Sequence, residues 1–161
     1  MRTLADVAFL VAYGAFAGLS VVLAIIDLRT HRLPHRIVLP AYPVAWVLLG
    51  LVAIGRGDGG AYLRACLGML ALFLGYAVLR MVQPAGLGGG DVTLAGLIGF
   101  FLAFLGWDPF LVGVVAGFLT GGVYSVVAIA ARRADRRTAI PFGPWMLVGA
   151  WIGIAFHAAL G

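Results

Sequence analysis

The chain contains no lysine and no glutamate. Its 11 basic side chains are all arginine and its 6 acidic side chains are all aspartate. Any carboxylate chemistry is therefore confined to Asp6, Asp27, Asp58, Asp91, Asp108 and Asp135. Charge of either sign is scarce, at 11% of 161 residues, where a soluble domain carries about 25%. The single cysteine, Cys66, lies in an apolar run, which excludes an internal disulfide and a cysteine-rich zinc site. Serine is limited to Ser20 and Ser125, both in apolar runs and neither with a histidine at helical spacing. A serine nucleophile is correspondingly disfavoured.

What remains is apolar. Hydrophobic residues make up 63% of the chain, more than a single domain of this length can hide in its own interior, so the expected solvent is a lipid bilayer. A spanning helix needs about 20 apolar residues, and six stretches qualify: 7–26, 37–55, 65–82, 92–107, 110–131 and 142–160. The fourth is short and contains glycine. The first is too long and too weakly basic at its start for a cleaved signal peptide. The expected fold is an all-α polytopic bundle of about six transmembrane helices, forming one domain over 1–161. The 24 glycines, many of them inside spans, predict close helix packing in lipid. Arg64 and Arg80, near the ends of the third span, are placed to snorkel to the headgroups.

A net charge of +5 does not indicate nucleic acid, because the arginines lie between spans and no soluble domain carries them. Their distribution reads as topology. Arg29, Arg32, Arg36, Arg80, Arg132, Arg133, Arg136 and Arg137 follow the odd-numbered spans, and only Arg2, Arg56 and Arg64 lie on the other side. Positive charge stays in the cytoplasm, so both termini are expected outside. The glycine, alanine and arginine content, with no lysine, suggests a GC-rich bacterial source.

Topology sorts the aspartates. Asp6, Asp58 and Asp108 fall outside. Asp58 lies in a glycine-rich turn, and Asp108 precedes Pro109, a helix-start signal. Asp135 sits among four arginines and reads as a solvated loop charge. Asp27 and Asp91 differ, since both lie at the cytoplasmic edge of a span, where an ionisable group is costly unless paired or in a wet cavity. Two explanations stand for them. Asp91 can serve as an N-cap in favourable contact with the helix dipole, with Asp27 pairing to Arg29 or Arg32. Alternatively, the two carboxylates face each other across the bundle.

Gly88, Gly89 and Gly90, immediately before Asp91, favour the second, because an N-cap does not require them. A stretch without side chains beside a carboxylate leaves room for a peptide backbone. A phosphate cradle is the rival use, but an anion would meet Asp91 and no P-loop lysine follows. His31 and His35 have metal-ligand spacing, but Pro34 interrupts them in an arginine-rich loop. His157, late in the last span, reads as a buried or interfacial polar residue.

Three segments together resemble a known family. Asp27-Leu28-Arg29-Thr30-His31-Arg32-Leu33-Pro34 is similar to the first catalytic segment of the type IV prepilin leader peptidases, an aspartate followed seven residues later by proline. Gly88-Gly89-Gly90-Asp91 resembles their GxGD segment, and Ile140-Pro141-Phe142-Gly143-Pro144 their Ile-Pro-Phe-Gly-Pro stretch. In order and span pattern the resemblance covers residues from about 20 to 155. It departs at His35, where many members have asparagine, and at Thr93, where many have lysine.

The resemblance implies an intramembrane aspartic endopeptidase that cuts prepilins or pseudopilins at the cytoplasmic membrane face, just before their apolar stem. Asp27 and Asp91 would form the catalytic pair and share one proton, with water as nucleophile and the stretch Gly88, Gly89, Gly90 admitting the substrate backbone, as an added strand. No metal, other cofactor or nucleic acid is required. The partners would be a prepilin-like chain with an N-terminal hydrophobic helix, and membrane lipid, with which the arginine-rich loops interact. Larger members carry an N-terminal region, often with paired Cys-x-x-Cys, linked to N-methylation. This sequence has neither, and methyltransferase activity is not expected. Two other classes stay open: a small proton- or cation-coupled transporter subunit, with the aspartates lining an ion path, and a non-catalytic assembly scaffold.

Overall fold

A computed structural model describes residues 2–30, 33–82, 87–130 and 142–160. Among these residues there are six α-helices and no strand: α1 (Arg2–Thr30), α2 (His35–Arg56), α3 (Gly59–Val82), α4 (Gly89–Leu105), α5 (Trp107–Ala130) and α6 (Gly143–Leu160). His31, Arg32, the four loop arginines from Arg132 to Arg137, Asp135, and Ile140-Pro141 lie outside the described residues. All but α4 are long and apolar enough to cross a membrane, and the chain is an all-α, multi-pass membrane protein.

The six expected spans are found with shifted ends, and the first three are longer than expected. α1 begins at Arg2 rather than residue 7, and α3 at Gly59 rather than 65. Hydropathy marks the part of a helix that lipid surrounds, whereas hydrogen bonding continues into the polar ends. The α2–α3 turn has specific causes. Gly57 takes a left-handed φ of 68° and its N–H bonds back to the end of α2, a glycine C-cap. Asp58 Oδ1 then accepts from Ala61 N at 2.9 Å, capping α3.

α4 is the centre of the bundle. It has 17 residues, a length of about 25 Å, and from Gly90 to Phe104 only Thr93 is not buried. A helix apolar on every side belongs inside, and α1, α2, α3, α5 and α6 all contact it or its neighbours. Small residues set the spacing. Gly68 of α3 and Gly99 of α4 approach so closely that a Cβ on either would strike the other's backbone, and Gly149 of α6 meets Gly113 and Gly117 of α5 in the same way. Hydrogen bonds fix the register: Tyr13 Oη donates to the Phe101 carbonyl at 2.9 Å, and Tyr42 Oη donates to the Thr93 carbonyl.

Arg64 departs from the snorkelling expectation. It donates to the Ala103 carbonyl at 2.7 Å and the Phe104 carbonyl at 2.9 Å. These belong to the last turn of α4, whose carbonyls lack intrahelical partners and carry the negative end of the dipole.

Candidate active site

α1 buries one stripe: Ala5, Ala8, Ala12, Phe16, Ser20, Leu23 and Asp27. The steps of three and four are those of a single helix face, and Asp27 is its last member. The face that carries alanine and leucine into the core therefore carries a carboxylate at its end. Asp27 is only 3% exposed. Its Oδ2 accepts from the backbone N–H of Gly143 at 3.1 Å. Gly143 is the first residue of α6 and Pro144 the second. That N–H is one of the orphan donors of a helix start, and proline at such a position removes a donor that would lack a partner anyway.

Asp91 stands in the first turn of α4 and is 8% exposed. It is not the N-cap. Gly88 holds that position, and Asp91 lies three residues further on, where its Oδ2 accepts from the Gly88 N–H at 2.8 Å. This is the returning half of a capping box. Each aspartate thus accepts from a backbone N–H at the start of a helix, Asp91 at α4 and Asp27 at α6.

Leu33 brings the two together. A Cβ on Gly143 would lie 2.7 Å from Asp27 Oδ2 and 2.9 Å from Leu33 Cδ1. A Cβ on Gly90 would overlap the Leu33 carbonyl oxygen and lie 2.5 Å from Leu33 Cβ. One buried side chain between α1 and α2 therefore touches the surroundings of both carboxylates, and Asp91 is within electrostatic reach of Asp27. The other aspartates lie elsewhere. Asp6 pairs with Arg56 at 3.0 Å, and Asp58 caps α3. Arg56, Asp58, Arg64 and His157 line one small cavity beside Phe104 and Leu105, at the C-terminal end of α4, whereas Asp91 is at its N-terminal end. Asp108 is in the first turn of α5.

The three glycines have different surroundings. Gly88 is exposed, Gly89 partly so, and Gly90 is buried against Leu33. A Cβ on Gly89 would come within 3.0 Å of His35 Nε2 and 3.3 Å of Arg80 Cζ. Arg80, in the last turn of α3, is also within electrostatic reach of Asp91. His35 Nδ1 lies 3.4 Å from Thr93 Oγ1, and Thr93 donates to the Gly90 carbonyl at 2.9 Å. Buried Tyr76 is within electrostatic reach of Asp91 too. Sequence reasoning did not place Leu33, Arg80 or Tyr76 at this site. For Tyr76 the available signal was a polar group on the same apolar span as Arg80, one helical turn before it.

Such an arrangement, two shielded carboxylates with one exposed glycine edge, suits acid–base chemistry on a peptide. The family model for the type IV leader peptidase family matches residues 14–126, a stretch that includes both aspartates. The chain belongs to that family. Among its relatives, the prepilin leader peptidase/N-methyltransferase of Pseudomonas aeruginosa is 30% identical over 137 residues, 82% of this chain and 44% of the relative. Proteins of the same name from Bacillus subtilis (29% over 134 residues, 83% of this chain and 51% of the relative) and Xanthomonas campestris (31% over 135 residues, 79% and 43%) are similarly related. The chain spans about half the length of the curated relatives it matches. No solved structure matches it.

Proposed function

We propose that this family member is an intramembrane aspartic endopeptidase that removes the leader peptide of type IV prepilins or pseudopilins at the cytoplasmic face of the bacterial inner membrane. The observation that carries the reading is the convergence of Asp27 and Asp91, buried at the same end of the bundle around Leu33. Family membership favours hydrolysis over the transporter and scaffold alternatives.

The two carboxylates share one proton, because like charges in a desolvated site resist joint ionisation. The ionised member takes a proton from water as that water attacks the scissile carbonyl. The protonated member donates a hydrogen bond to the developing oxyanion, and protons then pass to the leaving amine. The pair titrates as a unit, so the two roles belong to the pair. The substrate backbone lies along exposed Gly88 and half-buried Gly89, with Gly90 held by Leu33. The arginine distribution supports the cytoplasmic placement of this end and both termini outside. The reading assigns the chain the peptidase half of its relatives' double name.

Cleavage of a co-expressed prepilin-like chain by wild type, Asp27→Asn and Asp91→Asn tests the proposal, with membrane insertion of each verified. Both variants are expected to insert and to lose cleavage. Normal cleavage by either would reject the pair.

A further inference from the structure

An open apolar groove of about 620 Å³ runs between α1 and α6. Val21, Ala24 and Leu28 form one wall, and Pro144, Trp145 and Val148 begin the other. The α6 wall continues to Ala155, so the groove follows about 16 Å of helix, roughly half the hydrocarbon thickness. One end adjoins the candidate active site. Leu28 follows Asp27 in the chain, Pro144 follows Gly143, and Gly143 N–H is the donor to Asp27 at 3.1 Å. At this same end the buried indole N–H of Trp145 has no hydrogen-bond partner among the described residues.

We propose that this groove seats the apolar membrane-spanning helix of the substrate, with its N-terminal end at Asp27. The inference rests on the peptidase reading. If a chain is cut just before an apolar helix, that helix starts within a few ångströms of the attacked carbonyl, since each residue spans at most about 3.6 Å. It must then pass from the site directly into lipid along an apolar wall, because unsatisfied polar groups are costly there. The α1–α2 cavity, about 270 Å³, is also apolar, but none of its lining residues adjoins Asp27 or Asp91 in the chain. The cavity of Arg56, Asp58, Arg64 and His157 is polar and at the opposite end of α4. Among these, only the α1–α6 groove has lining residues that adjoin Asp27 and its donor Gly143 in the chain.

The test uses the full chain in membranes with a prepilin-like substrate carrying a basic leader and one apolar helix. Cleavage by wild type is measured first. A photo-crosslinking residue is then placed at Val148, in the groove, or at Val44, in the α1–α2 cavity, each with Asp91→Asn to hold the substrate uncut. Crosslinks to the substrate from Val148 and not from Val44 are expected. As an independent measure, Ala24→Phe and Val148→Trp in the active enzyme each narrow the groove, and KM is expected to rise at least fivefold with kcat within twofold of wild type. Substrate crosslinks from Val44 alone, or crosslinks from Val148 only to lipid or to a second copy of the chain, would overturn the seat while leaving wild-type cleavage, and thus the peptidase reading, standing. Failure of wild type to cut would overturn the peptidase reading and the seat with it.

Discussion

Thr93 Oγ1 lies 3.4 Å from His35 Nδ1, so the two residues at which the sequence resemblance breaks off are neighbours in the fold. They are 58 residues apart in the chain, and in sequence they read as separate changes. In the fold, His35 opens α2 while Thr93 lies in the first turns of α4, and Gly89 is beside the His35 ring. The predicted consequence is coupling. His35→Ala and Thr93→Ala should have non-additive effects on cleavage, with the double variant departing from the product of the singles by about twofold or more. A double-mutant cycle on KM and kcat measures this. Simple multiplication of the two effects would show that the contact carries no function.

Gly143 gives a sharper prediction. Its Cβ would lie 2.7 Å from Asp27 Oδ2 and 2.9 Å from Leu33 Cδ1, so Gly143→Ala must displace a buried carboxylate or the side chain that links the two aspartates. Displacements of about 1 Å at reacting groups cost about 100-fold in rate. Gly143→Ala should therefore lower kcat by roughly 10- to 100-fold, with helix content and insertion unchanged by circular dichroism and protease accessibility. Retention of full activity would show that Asp27 does not depend on this backbone donor.

Gly88 and Gly90 should separate. At Gly90 a methyl group would overlap the Leu33 backbone, whereas at exposed Gly88 it would meet only the Asp91 carboxylate, at 3.1 Å, and the Gly90 nitrogen. Gly88 has an ordinary extended backbone, φ −75° and ψ 158°, so alanine adds no strain there. Gly90→Ala is expected to destabilise the protein and abolish cleavage, whereas Gly88→Ala is expected to keep the stability and lose only part of the cleavage, because its methyl group borders the substrate path and Asp91 Oδ2. Parallel thermal unfolding in detergent and cleavage assays distinguish them, and equal loss in both variants would contradict the assignment.

The helices were legible in the sequence because lipid imposes length and hydropathy directly. Asp27 and Asp91 were also legible, as the carboxylates at one edge of the bundle. Three things were not. Hydropathy gives span number but no neighbours, so the central place of α4 emerges only from burial on all its faces. Asp91 reads as an N-cap by adjacency to an apolar run, yet the cap residue is Gly88, because α4 starts three residues earlier than hydropathy suggests. Leu33, an ordinary leucine between an arginine and a proline in sequence, is the contact between Gly90 and the Asp27–Gly143 pair. The periodicity of Ala5, Ala8, Ala12, Phe16, Ser20 and Leu23 did hold a further signal. Extended by one helical turn it reaches Asp27, which shows that the carboxylate points inward.

Arg64 separates stability from chemistry. Its guanidinium bonds the Ala103 and Phe104 carbonyls at 2.7 and 2.9 Å, at the end of α4 opposite Asp91. Removing it leaves two helix-end carbonyls without that partner, and loss of a charged donor from a part-buried site costs about 1–3 kcal/mol. Arg64→Gln should therefore lower the unfolding temperature in detergent while leaving kcat of the folded enzyme within about twofold, because no part of the aspartate site touches it. Asp58→Ala removes the 2.9 Å cap on Ala61 N, at a cost of about 0.5–2 kcal/mol, and should behave the same way. A large fall in kcat for either variant, with the protein still folded, would mean that the two ends of α4 are coupled and that the site extends beyond the Asp27 end of the bundle.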